Sequence, residues 1–179
     1  MGLLKAFILV AALSVPFAAA VTPRNKTSLR KAVLSVSPRQ EVLSYDDYEL
    51  PFRDARRHRI SSGFGWRWHP IRGMARAHRG LDFPKPYGTP VYPSRGGVVS
   101  FAGRRDGYGR IVEITHNDGG LTVYGHLARF FVATGQSVGK DNLLGLVGSS
   151  GLSTGPHLHF EYRGPSGMAF DPRHIITRR

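Results

Sequence analysis

Hydrophobic and polar positions alternate with a period of two over several short stretches, all of them after Arg59. Arg110-Ile111-Val112-Glu113-Ile114-Thr115-His116 alternates, and Leu121-Thr122-Val123-Tyr124 follows Asn117-Asp118-Gly119-Gly120. Two β-rich runs around an Asp-Gly turn predict a hairpin. His157-Leu158-His159-Phe160-Glu161-Tyr162 reads as another strand. Side chains alternate faces along a strand, so His157, His159 and Glu161 share one face and Leu158, Phe160 and Tyr162 the other. Shorter runs at Gly88–Tyr92, Gly96–Phe101 and Leu143–Gly148 add further strands. Together they predict a mainly β domain: a compact, sandwich-like antiparallel β core with little helix.

The first part of the chain has a different texture. Met1–Lys5 is a short basic start, Ala6–Phe17 is largely apolar, and Ala18-Ala19-Ala20 suits signal cleavage, which leaves Val21 as the new N-terminus. The apolar run is shorter than the roughly 20 residues of a spanning helix and contains Pro16. Residues 1–20 are therefore expected to be a signal peptide, with no stable membrane span after its removal. The polar, basic stretch 21–57 is expected to be a linker or short pro-segment, with a short helix over Ser28–Val36. Residues 58–179 are then the folded domain. Export places it in the periplasm, outside the cell or in the wall.

Composition narrows the chemistry. The 179 residues contain no cysteine, which excludes disulfides, thiolate metal ligands and a cysteine nucleophile. There is no Gly-x-Ser-x-Gly elbow either. The formal net charge of +13 favours polyanionic partners. For an exported chain these are carboxylate-bearing wall peptides, anionic wall polymers or anionic lipid headgroups; nucleic acid is not expected.

The eight histidines supply the candidate chemistry. His157 and His159 hold two imidazoles on one strand face. His78 and Asp82 stand four apart around Gly80, in a turn that enters a strand and leaves Leu81 and Phe83 to the core. Imidazole and carboxylate are standard zinc ligands. His126 ends the second hairpin strand, where Gly125 is expected to leave open space for a substrate. Trp68, His69 and Arg72 lie in an arginine-rich loop that could border a groove. His116 is expected to be structural, and His58 and His174 solvated.

Three blocks carry a resemblance: His78-Arg79-Gly80-Leu81-Asp82, Tyr124-Gly125-His126-Leu127, and Gly151-Leu152-Ser153-Thr154-Gly155-Pro156-His157-Leu158-His159-Phe160-Glu161. In this order they resemble the signature blocks of the lysostaphin-type zinc endopeptidases, hydrolases of peptidoglycan peptides with the duplicated hybrid motif fold. Ser62–Arg67, His69-Pro70-Ile71 and Gly88–Val91 are also similar to that family, so the resemblance covers roughly residues 60–172. It implies one Zn2+ held by His78, Asp82 and His159, with His126 and His157 as catalytic histidines. The segment Lys140–Leu144 departs from the family pattern and puts one turn in question.

The function expected is therefore hydrolysis of peptide cross-links in peptidoglycan. No His-Glu-x-x-His helix places a glutamate beside the metal, so His126 or His157 must handle protons or stabilise the oxyanion. Three other readings remain: a non-catalytic regulator of other wall hydrolases, a polyanion-binding protein in which the histidines are incidental, and a zinc endopeptidase acting on glycine-rich peptides or proteins.

Overall fold

The structure is a computed structural model, and it describes residues 48–54, 58–69 and 73–176. The expected signal peptide, the Ser28–Val36 helix and most of the linker lie outside these residues. The chain divides into two units, 1–40 and 41–179, and every described residue belongs to the second.

That unit is built almost wholly from antiparallel strands. In chain order they are β1 (Gly65–His69), β2 (Met74–His78), β3 (Leu81–Pro84), β4 (Pro90–Val91), β5 (Gly97–Arg105), β6 (Gly109–Thr115), β7 (Leu121–Leu127), β8 (Arg129–Phe130), β9 (Ser137–Val138), β10 (Gly145–Leu146), β11 (His157–Arg163) and β12 (Ala169–Phe170). The main sheet runs β12-β11-β7-β6-β5-β9, with β3 also paired to β11. β4, β10 and β8 form a second sheet, and β1 with β2 forms a hairpin. A single 3-10 turn, Pro172–His174, is the helical element among the described residues, and no described helix is long and apolar enough to cross a membrane.

Alternation sets this arrangement. On β11, Leu158 and Phe160 are fully buried with Leu81, Phe83, Tyr124 and Leu127, while His157, His159 and Glu161 face the other way. Burying each such large apolar side chain contributes roughly 1.5–3 kcal/mol. A slip of one residue would exchange the two faces of β11, so the core fixes the register that presents the histidines. The β6–β7 hairpin closes as its sequence predicts: the Gly119 amide donates to His116 O, and Gly119 takes φ +80°.

Several details differ from the sequence reading. Gly88–Tyr92 and Leu143–Gly148 yield only the two-residue strands β4 and β10. Pro90 has no amide to donate, and at Gly145 a Cβ would stand 2.4 Å from Arg129 O. The arginine-rich segment read as a loop forms the β1–β2 hairpin. Its burial pattern hid it, because all four residues of Met74–Ala77 are exposed. The questioned turn is formed: the Gly139 amide donates to Asn142 Oδ1 at 2.6 Å, and the Asn142 amide donates back to Gly139 O.

The end of the expected linker is also structured. Tyr48 is fully buried, Phe52 joins the core, and the Glu49 and Tyr92 amides donate to Ser94 O and Pro51 O. Residues 48–52 are thus part of the β unit. His58 is not solvated: its side chain is 2% exposed, stacked on Phe52 at 5.0 Å. His174 is exposed, as expected. His116 is buried between Gly96 O and Thr122 Oγ1, and burial lowers its pKa.

Candidate active site

Three neighbouring strands meet in one row. His159 on β11 pairs with Asp82 on β3 at one side and with Gly125 on β7 at the other. Directly opposed residues have Cβ atoms about 4.5–5.5 Å apart on the same face, so register alone brings the Asp82 and His159 side chains together. His78 ends β2, and Arg79-Gly80 turns the chain into β3. Gly80 makes that turn feasible, since a Cβ there would lie 2.2 Å from Phe160 O.

The result is a tight triangle of buried atoms. Asp82 Oδ1 lies 3.1 Å from His78 Nε2 and 2.8 Å from His159 Nδ1, and the two nitrogens are 3.1 Å apart. The other ring nitrogens fix the tautomers. His78 Nδ1 donates to Gly63 O at 2.6 Å, and His159 Nε2 donates to Glu161 Oε1 at 2.9 Å. With those protons committed, two imidazole lone pairs and one carboxylate oxygen point at one another with no donor between them. Crowded lone pairs of this kind favour a cation among them. Asp82, His78 and His159 are the metal-capable cluster among the described residues. Their separations approach the edge of roughly 3.3 Å in a tetrahedron with bonds of about 2.0 Å, and each histidine carries the acceptor on its far nitrogen that metal-ligating histidines have. The residues therefore fit zinc.

The electrostatics follow from the same contacts. Burial disfavours the Asp82 carboxylate, but the two imidazoles against it, His159 and His78, outweigh it and hold its pKa well below the usual carboxylate range. Burial pushes His159 down, but Asp82 and Glu161 outweigh it and bring its pKa up to about 9. The site thus draws a proton into the place a metal would fill.

His126 and His157 stand beside this triangle, their rings 4.6 Å apart. His126 Nδ1 donates to Ser150 O and His157 Nδ1 to Gly155 O, both at 2.8 Å. Both Nε2 atoms are left unclaimed by the backbone, and His157 Nε2 lies 3.7 Å from Asp82 Oδ1. Burial lowers the pKa of His126 to about 4, so its ring is neutral near pH 7. Its backbone is unusual: His126 is the one non-glycine residue with positive φ (60°) among those described. It sits where the β6–β7 register shifts between Arg110 and Val112, and its amide donates to Tyr108 O. This irregularity re-aims the side chain out of the strand's alternation.

Gly125 does not leave open space. A Cβ there would lie 3.3 Å from the Tyr108 ring and 3.4 Å from His159 Cβ, so the glycine lets these rings pack closely. Tyr108 and Arg163 are functional neighbours that sequence reasoning missed. The Tyr108 hydroxyl donates to Glu161 Oε1 at 2.6 Å, and Arg163 donates to Glu161 Oε2 through Nε (2.9 Å) and Nη2 (2.6 Å). Burial raises the Glu161 pKa, but His159, Tyr108 and Arg163 outweigh it and bring it down to about 2. Glu161 is therefore a charged acceptor that orients His159.

All five histidine and aspartate candidates line one cleft of about 690 Å3. Trp68 lines it too, along with Arg67 and Arg76 from the hairpin. His69 closes β1, and Arg72 lies outside the described residues.

An open cleft over a His-Asp-His group, with two further histidines beside it, is the arrangement of a metallopeptidase site on an antiparallel β fold. The sequence profile described as Peptidase family M23 matches residues 76–172, more than half of the 179 residues, and the chain belongs to that family. That family is one of zinc-dependent metallopeptidases. It is 51% identical over 105 residues to the DD-carboxypeptidase/endopeptidase Mpg of Neisseria meningitidis serogroup B, a match covering 59% of this chain and 24% of that protein. The chain spans about a quarter of that relative's length. Among solved structures it is similar to a zinc containing peptidase from Vibrio cholerae, with TM-score 0.63 and 36% identity over 70% of this chain and 39% of that one. The catalytic domain of the antimicrobial peptidase lysostaphin from Staphylococcus simulans gives TM-score 0.59 and 33% identity over 65% of this chain and 90% of that one.

Proposed function

We propose that this chain is an exported zinc endopeptidase that hydrolyses peptide cross-links of peptidoglycan. The observation that carries the chemistry is the donor-free triangle of His78 Nε2, Asp82 Oδ1 and His159 Nδ1. These three residues would hold the zinc. Bound there, zinc supplies a Lewis acid that polarises a carbonyl and lowers the pKa of a coordinated water toward about 7. Glu161, itself braced by Tyr108 and Arg163, keeps the His159 proton on Nε2 and its lone pair on Nδ1. Arg67 lies 3.4 Å from Asp82 Oδ2 and leaves Oδ1 to the site. His126 and His157 present Nε2 to the cleft, where they accept, hold and return the proton that must leave the attacking water and reach the departing amine. Wall peptides are the substrate favoured by the DD-carboxypeptidase/endopeptidase activity for which the meningococcal relative is named and by the basic surface. The same charge suits anionic wall polymers as a further binding partner.

Digestion of purified sacculi tests this reading. With zinc, mass analysis is expected to find soluble peptides cut at cross-link amides; a chelator should stop their release and added zinc restore it. Release that persists in chelator, or intact sacculi with the zinc-loaded protein, would overturn it.

A further inference from the structure

The β1–β2 hairpin carries a feature that neither its folding nor the hydrolytic chemistry uses. Arg67 and Arg76 are direct cross-strand partners. Like charges placed opposite each other destabilise a strand pair, yet both side chains line the cleft. Arg76 is exposed and has no hydrogen bond or ion pair among the described residues. Arg67 is half-buried; its Nη2 reaches Asp82 Oδ2 only at 3.4 Å, and its Nε is buried without a hydrogen-bond partner. The buried Arg67 Nε without a partner costs free energy, the like charge of Arg76 opposite adds to it, and an anion between the two guanidinium groups would relieve both. The cleft's own carboxylates leave the Arg67 Nε and Arg76 unmatched: Asp82 is engaged by His78 and His159 and meets only Arg67 Nη2, Glu161 is engaged by Tyr108, His159 and Arg163, and Asp106 is exposed and forms no ion pair with either arginine.

We propose that Arg67 and Arg76 form a clamp for a free carboxylate on the peptide being cut. This rests on the endopeptidase reading and adds a specificity to it. The planar guanidinium fork matches a carboxylate, and two forks facing one cleft can share its two oxygens. Because Arg67 also touches Asp82, the bound carboxylate stands close to the scissile bond. The hairpin thus selects peptides by charge, and amidation of that carboxylate removes the recognised group.

Binding tests this without requiring turnover. The probes are a synthetic cross-linked wall peptide with free carboxylates and the same peptide with its carboxylates amidated, titrated into the zinc-loaded full chain. Hydrogen bonds to charged groups correspond to roughly ten-fold or more in affinity each. The free-carboxylate probe is expected to bind at least about ten-fold more tightly, and Arg76→Glu should abolish that preference while zinc content is unchanged. Arg76 is exposed on the hairpin, away from the core, so the variant should fold. Equal affinity for the two probes, or a preference that survives in Arg76→Glu, overturns the clamp. Failure of sacculus digestion would instead overturn the endopeptidase reading, and the two results are read separately.

Discussion

Asp82→Ala is expected to purify without bound zinc and to lose wall hydrolysis by roughly 10³-fold or more. The reason is geometric. Asp82 Oδ1 is the only anionic corner of the triangle, 2.8 Å and 3.1 Å from the two ring nitrogens it faces. Without it, two neutral imidazoles facing each other at 3.1 Å hold a cation poorly. The substitution lies on the site face of β3, while Leu81 and Phe83 on the other face keep the core intact. The far-ultraviolet circular dichroism should therefore be that of the parent protein. Elemental analysis after dialysis checks the metal. A variant that keeps one zinc per chain would show that Asp82 is not a ligand.

The second large effect is expected from His126→Asn. Rate should fall by about 10²–10⁴-fold while zinc stays bound, because His126 contributes none of the three converging atoms. Asparagine is chosen over alanine for a backbone reason. His126 has φ 60°, a region that asparagine tolerates and alanine resists. Stability should thus stay near that of the parent, and the loss can be assigned to the missing imidazole. His157→Ala is the companion variant, since its Nε2 approaches Asp82 Oδ1 from the same side of the cleft. Near-normal turnover in both would exclude the proton-handling role. Loss of zinc from either would reassign a ligand.

How far the sequence displayed this molecule depended on how far burial had marked it. β11 was legible because Leu158 and Phe160 are fully buried and the residues between them are polar. The β6–β7 hairpin was legible for the same reason, with a glycine at the one turn position that needs positive φ. The β1–β2 hairpin was not, because exposed Arg, Ala and Trp residues carry no alternation to read. Its arginines read as loop charge, although their pairing across the hairpin is what makes them informative. In the site, His78, Asp82, His126, His157 and His159 stand in blocks that could be singled out, and the fold brings all five into one cleft.

What holds those side chains in place was hidden. Gly63 O, Ser150 O and Tyr108 act across 15, 24 and 53 positions of chain, and no local pattern connects them to His78, His126 and Glu161, the side chains they touch. The role of Gly125 was misread because a missing side chain signals either open space or close packing, and only the neighbours distinguish the two. His58 was misplaced likewise, since the Phe52 ring that covers it belongs to a stretch read as linker.

The central claim is that His78, Asp82 and His159 hold one catalytic zinc, and anomalous diffraction from crystals of the zinc-loaded protein at the zinc edge tests it most directly. The account predicts one peak per chain, within about 2.0–2.2 Å of His78 Nε2, Asp82 Oδ1 and His159 Nδ1. A peak bonded to His126 or His157 in place of one of these, or a triangle without metal in crystals of active protein, would contradict it.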